Sequence, residues 1–167
     1  MSKSALKTDV ELKDEILALL DENHVMSLAT VRPDGWPQVT MVNYVHDDLI
    51  LYFVIARNSQ KFANIERDPR VSIAVGHETR HRIRGLSMAA RVSPVADFDE
   101  VKRLNALILA RHAGRVVFAP REASAVLVRA APEIVSVIDL TKGPGQPQLV
   151  RVLGETAVRR TEDSQWA

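Results

Sequence analysis

The stretch Met26-Ser-Leu-Ala-Thr-Val-Arg-Pro-Asp-Gly-Trp-Pro-Gln-Val-Thr-Met-Val-Asn43 decides the fold, because it joins two strand-like runs through a turn. In Arg32-Pro-Asp-Gly35, proline presets φ for a turn and glycine supplies the position that other residues resist. We therefore predict a hairpin of strands 24–31 and 36–45. A short turn at 46–48 and a third strand, Leu49 to Ala56, extend this hairpin to an antiparallel meander.

Three helices are predicted from their end signals. Thr8-Asp-Val-Glu11 has the spacing of a capping box, and an apolar stripe follows it as far as Asn23. A short second helix runs from the turn at Ser59 to about Arg67, where Asp68-Pro69 stops it. Asp97 caps a third helix, with Gly114 as the residue that ends it.

The remaining strands are predicted at 71–76, at 86–95 with a kink at Gly85, at 125–129 and 134–140 on either side of Ala131-Pro132, and at 149–152. Strands that are short, adjacent and linked by turns indicate a mainly β fold, an antiparallel barrel with helices packed outside it. No repeat and no linker divides the chain. We expect a single domain over residues 1–167, with its core between about residues 10 and 152.

Composition restricts the partners and the compartment. The chain has 167 residues, 46% of them hydrophobic, and 22 Lys and Arg against 21 Asp and Glu give a net charge of +1. A chain with this charge balance has no overall positive electrostatic field that would attract nucleic acid or an acidic membrane surface. There is no cysteine, no apolar h-region near Met1, and no apolar run long enough to cross a bilayer. We expect a cytoplasmic protein.

The turn Ala56-Arg-Asn-Ser-Gln-Lys61 is the first candidate for function. It links a strand to a helix, and the first amides of a helix lack partners within the helix and favour an anion. Arg57, Ser59 and Lys61 would add a guanidinium, a hydroxyl and an ammonium, a combination suited to a phosphate. Two structural alternatives remain open, because Ser59 also suits a plain N-cap and Lys61 a solvated lysine.

The order of several motifs resembles a known family. The stretch from Met26 to Asn43, then Leu49-Ile-Leu-Tyr-Phe53, Ser59-Gln-Lys61, and the segment from Asn64 to Val75 are similar to the pyridoxamine 5′-phosphate oxidase-like family of FMN-binding split barrels. This resemblance implies a six-stranded antiparallel split β-barrel. It also implies a homodimer with two FMN sites at the interface.

The resemblance also assigns residues. Ser59 and Lys61 match the phosphate-binding serine and lysine of the family, and Arg57 is close enough in sequence to reach the same oxygens. The flavin ring of the family lies along the second strand and is held mainly by backbone groups. The matching positions here are Gln38, Val39, Thr40, Met41 and Val42.

Three departures from the oxidase itself argue against pyridoxamine phosphate as the substrate. Gln60 stands where that enzyme has a phosphate-binding arginine, and Gln38 lies near the place of another. The tail from Arg159 to Trp166 lacks the Arg-Leu-x-Pro type of ending that helps to bind the vitamin phosphate.

Other polar clusters are interpreted more simply. His77 and His81 have a spacing that binds metal on a helix, but their segment has the character of a loop, so no metal site is expected. His24, His46 and His112 are expected at the surface or at helix ends. The basic residues Arg80, Arg82 and Arg84 would share one strand face, either solvated or around an anion. Trp36 and Trp166 are interpreted either as core and interface anchors or as lids over a flavin, and packing is expected for Trp36.

The leading functional prediction is an FMN-dependent oxidoreductase that acts on a small organic substrate. Because a flavin carries the redox chemistry itself, no catalytic residue is assigned from the sequence. One alternative is a reductase of the same fold that uses the deazaflavin coenzyme. Another is a protein that binds flavin or haem without turnover.

Overall fold

A computed structural model describes residues 7–79, 82–111, 124–141 and 147–161. Helix α1, Asp9–Glu22, begins with the predicted capping box, in which Thr8 Oγ1 accepts a hydrogen bond from the Glu11 amide and the Glu11 carboxylate accepts one from the Thr8 amide. It ends at Asn23, as predicted. No helix within the described residues is both long and apolar enough to cross a membrane.

Two further helices follow the predicted signals. Helix α2 covers Gln60–Arg67 with Ser59 as its N-cap, and α3 covers Phe98–Arg111, where Asp97 Oδ1 accepts from the Glu100 amide. Gly114, the predicted end of α3, lies outside the described residues. The strands are β1 Val25–Val31, β2 Pro37–Asn43, β3 Val45–Asp47, β4 Ile50–Ala56, β5 Arg70–Thr79, β6 Arg82–Pro94, β7 Ala125–Asp139, β8 Gln148–Leu153 and β9 Ala157–Arg160.

All of these strands pair antiparallel in one sheet, with the order β2-β1-β5-β6-β7-β4-β3 and with β8 and β9 attached to β7. The first hairpin is confirmed, but the predicted three-strand meander is wrong. The chain turns away at Tyr44, whose amide donates to the His24 carbonyl, so that β3 and β4 form a second hairpin at the opposite end of the sheet. The two ends, β2 and β3, are not paired, and the sheet is therefore a split rather than a closed barrel.

Strand β7 corrects another prediction, because it is continuous through the segment Ala131-Pro132 that was expected to divide it. Residues 125–130 pair with β4, residues 134–137 pair with β8, and Pro132 lies between these two stretches. There the pairing with β6 shifts, and Glu133 is the extra residue of a bulge. Proline is tolerated at a bulge because it interrupts no regular ladder.

Strands β5 and β6 are longer than predicted. The segment 76–79, interpreted as a loop, continues β5, and 82–84 begins β6. Gly76 pairs directly with Gly85, and a Cβ on Gly85 would lie 2.5 Å from the Val75 carbonyl oxygen. Close approach of the two backbones explains this glycine pair. With β9, a strand that was not predicted, the described residues form nine strands, where the resemblance implies six.

One apolar core fills the concave face of the sheet. Strands from both ends of the sheet contribute to it, as do the apolar stripe of α1 and the side chains of Phe62 and Ile65 from α2. The largest fully buried side chains in this core are Leu12, Ile16, Leu19, Leu20, Met26, Leu28, Leu49, Leu51, Ile73, Met88 and Val128. Burial on this scale is the main force that holds a domain together.

A second, smaller core lies on the outer face of β4, where α3 covers Ile50 and Tyr52 with Val101 and Leu104. Strand β4 is therefore apolar on both faces because a helix of the same chain packs against it. Its apolar outer face does not require a partner chain.

Candidate functional site

The turn between β4 and α2 is built around Ser59. The hydroxyl of Ser59 accepts a hydrogen bond from the Phe62 amide at 3.2 Å and donates one to the Ala56 carbonyl at 2.6 Å. Ser59 is therefore an N-cap in this structure, the structural alternative considered for it. Its carbonyl also accepts from the Ala63 amide. The amides of Gln60 and Lys61 have no acceptor among the described residues, so the start of α2 keeps two donors for an anion.

Lys61 is half-buried next to these donors. Burial lowers the pKa of its ammonium group, because a charged group loses hydration there. Within the described part of the chain, its Nζ forms no ion pair and no hydrogen bond. An anion gains more binding free energy from a partly desolvated cation without a carboxylate partner than from a solvated lysine.

Arg57 is exposed at the start of the same turn. Its guanidinium carbon lies 5.6 Å from the centroid of the Phe62 ring, the geometry of a cation–π contact. Its backbone amide donates to the Ser124 carbonyl at 2.8 Å. The turn thus carries two cations, one half-buried and one at the surface.

The five predicted ring-binding residues lie on β2, which pairs with β1 and with no other strand in the described residues. Because successive side chains of a strand point to opposite faces of the sheet, these five side chains are divided between two faces. The side chains of Val39 and Met41 are exposed on the outer face, at 63% and 75%, whereas Gln38, Thr40 and Val42 point to the inner side. Because β2 is an edge strand, every second residue has backbone groups without a strand partner.

Asn64 connects this strand to α2. Its side chain is fully buried, and its Nδ2 donates to Thr30 Oγ1 at 2.9 Å and to Gln38 Oε1 at 3.0 Å. Gln60 Nε2 donates to Asn64 Oδ1 at 2.9 Å. Gln38 and Gln60, the two glutamines that the resemblance compares with arginines of the oxidase, therefore both bind Asn64.

A second contact fixes the direction of α2. One turn after Asn64, Arg67 Nη1 donates to the Arg32 carbonyl in the β1–β2 turn. Helix α2 is therefore bonded to β2 through Asn64 and to the β1–β2 turn through Arg67. Asn64, three residues after Lys61, thus links the helix that begins at the Lys61 turn to the predicted ring-binding strand, although the two are separated in sequence by the whole second hairpin.

Thr40 is notable on this inner side. Its Oγ1 is buried and has no hydrogen-bond partner among the described residues. An unsatisfied buried hydroxyl costs free energy, and a ligand with polar edges would relieve that cost. The Thr40 hydroxyl on β2 and the Lys61 ammonium at the start of α2 are the groups here that a polar ligand could satisfy.

The outer face of β1, β2, β5 and β6 carries a shallow apolar depression of ≈ 330 Å³. Small residues form its floor and larger apolar side chains its rim, namely Ser27, Ala74, Gly76, Gly85 and Ser87 with Val25, Met41, Ile83 and Ile138. Trp36, expected to pack, is 70% exposed just beyond the β1–β2 turn, so it is not part of the core of this chain.

The basic residues of β6 are engaged in structural contacts. Arg84 Nη1 donates to both oxygens of Glu22, at 3.0 and 2.7 Å, and Arg82 Nη1 donates to the Leu140 carbonyl at 3.1 Å. These contacts join β6 to α1 and to the end of β7. Arg80, His81, His112 and Trp166 lie outside the described residues.

Two buried polar residues were missed by sequence reasoning. Asn64 belongs to the segment that resembles the family, but no role was predicted for its side chain. A polar residue between Phe62 and Ile65 on an apolar helix face is itself a signal of a buried hydrogen-bonding group. His46, expected at the surface, is 6% exposed, with Nε2 at 2.9 Å from Asp21 Oδ1 and Nδ1 at 2.9 Å from the Asp48 carbonyl. No local pattern indicates that α1 covers it.

The chain is similar in sequence and in fold to several known proteins. The chain shares 34% identity over 68 residues with general stress protein 26 of Bacillus subtilis, which is 41% of this chain and 48% of that protein, so it spans about half of that relative. It shares 31% identity over 99 residues with the F420H(2)-dependent biliverdin reductase of Mycobacterium tuberculosis, covering 58% of this chain and 69% of that one. The structure of general stress protein 26 from Bacillus anthracis superposes with a TM-score of 0.65 at 24% identity, covering 85% of this chain and 99% of that chain.

The family model described as pyridoxamine 5′-phosphate oxidase matches residues 12–139, which include β2, the Ser59 turn and Asn64. The matched region extends from α1 to the end of β7. The chain therefore belongs to the pyridoxamine 5′-phosphate oxidase family.

Proposed function

We propose that the protein binds FMN and is a flavin-dependent oxidoreductase for a small organic substrate. The observation that carries this proposal is the half-buried Lys61 ammonium, which has no ion pair within the described residues and stands next to two unsatisfied amides at the start of α2. Membership of a family that binds flavins supports it.

The phosphate would be held by Lys61 and by the amides of Gln60 and Lys61, with Arg57 at the exposed side. The ring would lie along β2, where the outward-facing backbone groups of an edge strand can hydrogen-bond its polar edge. The bound flavin supplies hydride or electron transfer. The residues of the chain bind the cofactor, orient it and exclude water from one of its sides.

A homodimer with the cofactor at its interface is part of the proposal. On the outer face of the sheet, Val39, Met41 and Ile83 are 63%, 75% and 57% exposed and adjoin the small-residue depression. Apolar surface of this kind marks an interaction site, and a second copy would cover it. The ring-binding strand β2 lies at the margin of the same surface.

The second candidate is a reductase that uses the deazaflavin coenzyme. It is favoured by the 31% identity to a reductase whose name states dependence on reduced F420. That coenzyme also carries a phosphate, so the Lys61 turn would serve it in the same way. Gln60, in place of the arginine of the oxidase, leaves the turn with fewer cations, which suits a phosphate of lower charge.

Titration of the apoprotein with four ligands tests the proposal: FMN, riboflavin, FAD and the deazaflavin coenzyme. FMN should bind at least about tenfold more tightly than riboflavin, because only FMN fills the anion site. FAD should bind more weakly than FMN, since its second phosphate and adenosine must leave a turn suited to a terminal phosphate. Tighter binding of the deazaflavin coenzyme would select the second candidate, and equal affinity for FMN and riboflavin would reject the phosphate site.

A further inference from the structure

The side chain of Asn64 satisfies three hydrogen bonds in a fully buried position. Both donors of its amide are used, by Thr30 of β1 and by Gln38 of β2, and its oxygen accepts from Gln60. An asparagine without exposure on a helix of eight residues is costly unless its groups are paired, and this pairing is specific in direction. The amide plane of Asn64 is thus fixed by three elements at once.

The bond to Gln38 has a different role from the bond to Thr30. Strand β1 lies between β2 and β5 and is held on both sides, whereas β2 is held by β1 alone among the described strands. Within the described residues, Asn64 to Gln38 is the side-chain hydrogen bond that joins α2 to β2 directly. Thr30 and Gln38 are cross-strand partners, so the two acceptors lie at the same level of the sheet.

FMN would touch the protein at two points, with its ring on β2 and its phosphate at the start of α2. A ligand with two contact points gains full affinity only if the protein holds them at the separation that the ligand spans. Lys61 lies three residues before Asn64 and therefore on the same side of α2. The Asn64–Gln38 bond is well placed to set the separation between Lys61 and β2.

We propose that Asn64 is a positioning residue, which fixes the phosphate-binding start of α2 relative to the ring-binding strand β2 through its hydrogen bond to Gln38. This inference rests on the proposed function. It assigns to Gln38 a part in binding that is indirect, since its side-chain oxygen is taken by Asn64. Because Gln38 and Gln60 are both bound to Asn64, neither side chain is expected to hold the phosphate.

The test compares three variants. Asn64→Leu removes all three hydrogen bonds, and Gln38→Met removes only the acceptor on β2 while it keeps the length of the side chain. Thr30→Val is the matched control, because it removes the other acceptor of the same Nδ2 group and leaves an equally buried N–H unpaired. Each variant is titrated with FMN, riboflavin and inorganic phosphate, and its thermal unfolding is recorded.

We expect FMN affinity to fall about tenfold in Asn64→Leu and Gln38→Met, while affinities for riboflavin and inorganic phosphate change by less than about threefold. In Thr30→Val the ratio of FMN to riboflavin affinity should stay within about twofold of the wild-type ratio, even if unfolding occurs at a lower temperature. Should Asn64→Leu fail to fold, the comparison of Gln38→Met with Thr30→Val decides the question.

Equal losses for FMN and riboflavin in Gln38→Met would overturn the positioning role and leave the proposed function intact. The positioning role would also be overturned if the ratio of FMN to riboflavin affinity changed as much in Thr30→Val as in Gln38→Met, since that would reflect general loosening of the core. A wild-type protein that binds FMN no better than riboflavin would overturn the proposed function, and the positioning role with it.

Discussion

The Ser59 hydroxyl lies 3.2 Å from the Phe62 amide and caps the helix whose first turn carries the proposed phosphate site. The same residue therefore has a structural role and would lie beside the proposed ligand. Substitutions that keep or remove the cap can separate these two roles.

Two substitutions of Ser59 are expected to separate an effect on stability from an effect on FMN binding. Ser59→Ala removes the cap and should lower the free energy of unfolding by about 1 kcal/mol. Ser59→Asp keeps a capping oxygen but brings a negative charge to the anion site, so stability should be retained and FMN affinity should fall by at least about tenfold. Thermal unfolding and FMN titration measure both effects. Wild-type FMN affinity in Ser59→Asp would contradict a phosphate at this turn.

Replacing Lys61 by methionine should weaken FMN binding without destabilising the protein. The apolar stem is kept, no ion pair within the described residues is lost, and a charge is removed from a half-buried position. Loss of a charge-assisted contact predicts a decrease in FMN affinity of roughly tenfold to a hundredfold. Riboflavin serves as the control ligand, and its affinity should not change. A similar loss for riboflavin would show that Lys61 acts on the ring or on the fold.

The pH dependence of FMN binding should report on Lys61. Burial lowers the pKa of its ammonium from the ordinary value of 10.5, so the group loses its proton at lower pH than a solvated lysine does. The phosphate binds the protonated form, and FMN affinity should therefore fall as the pH rises through this lowered pKa. Titrations from neutral to alkaline pH measure the effect. The Lys61→Met variant should not show this fall in FMN affinity. If the fall persists in Lys61→Met, another titrating group causes it.

A lysine at position 41 should dissociate the proposed homodimer. Met41 is 75% exposed on the outer sheet face, where a second copy would bury it, and a buried unpaired charge is strongly unfavourable. Val10→Lys is the control, since Val10 is 70% exposed on α1. Light scattering at micromolar concentration should show a dimer for the wild type and for Val10→Lys, and a monomer for Met41→Lys. A monomeric wild type would refute the dimer.

Gly85→Ala should destabilise the sheet. An alanine Cβ would lie 2.5 Å from the Val75 carbonyl oxygen, in the backbone of a paired strand that cannot move aside easily. Overpacking of this kind costs about 1–3 kcal/mol in the free energy of unfolding. Ser87→Ala on the same strand adds no atom and is the control. Denaturant unfolding measures both variants, and equal stability of Gly85→Ala and the wild type would show that β5 and β6 can separate locally.

Local signals in the sequence determined the helices and the first hairpin. The capping box at Thr8, the Ser59 cap and the turn at Arg32-Pro-Asp-Gly35 all act within a few residues, so their effects can be read without the rest of the chain. The position of Ser59 and Lys61 at the start of a helix followed from the same local chemistry.

Only the tertiary structure decided which strands are neighbours and what surrounds the site. Paired residues of β4 and β7 are 69 to 79 positions apart in sequence, and Pro132 fits into β7 because a bulge and two separate partner strands lie there. Asn64 meets Gln38, and Lys61 is half-buried without an ion pair in the described part of the chain, because α2 packs against β1 and β4 of the sheet. Such contacts depend on burial between distant segments, which no local pattern encodes.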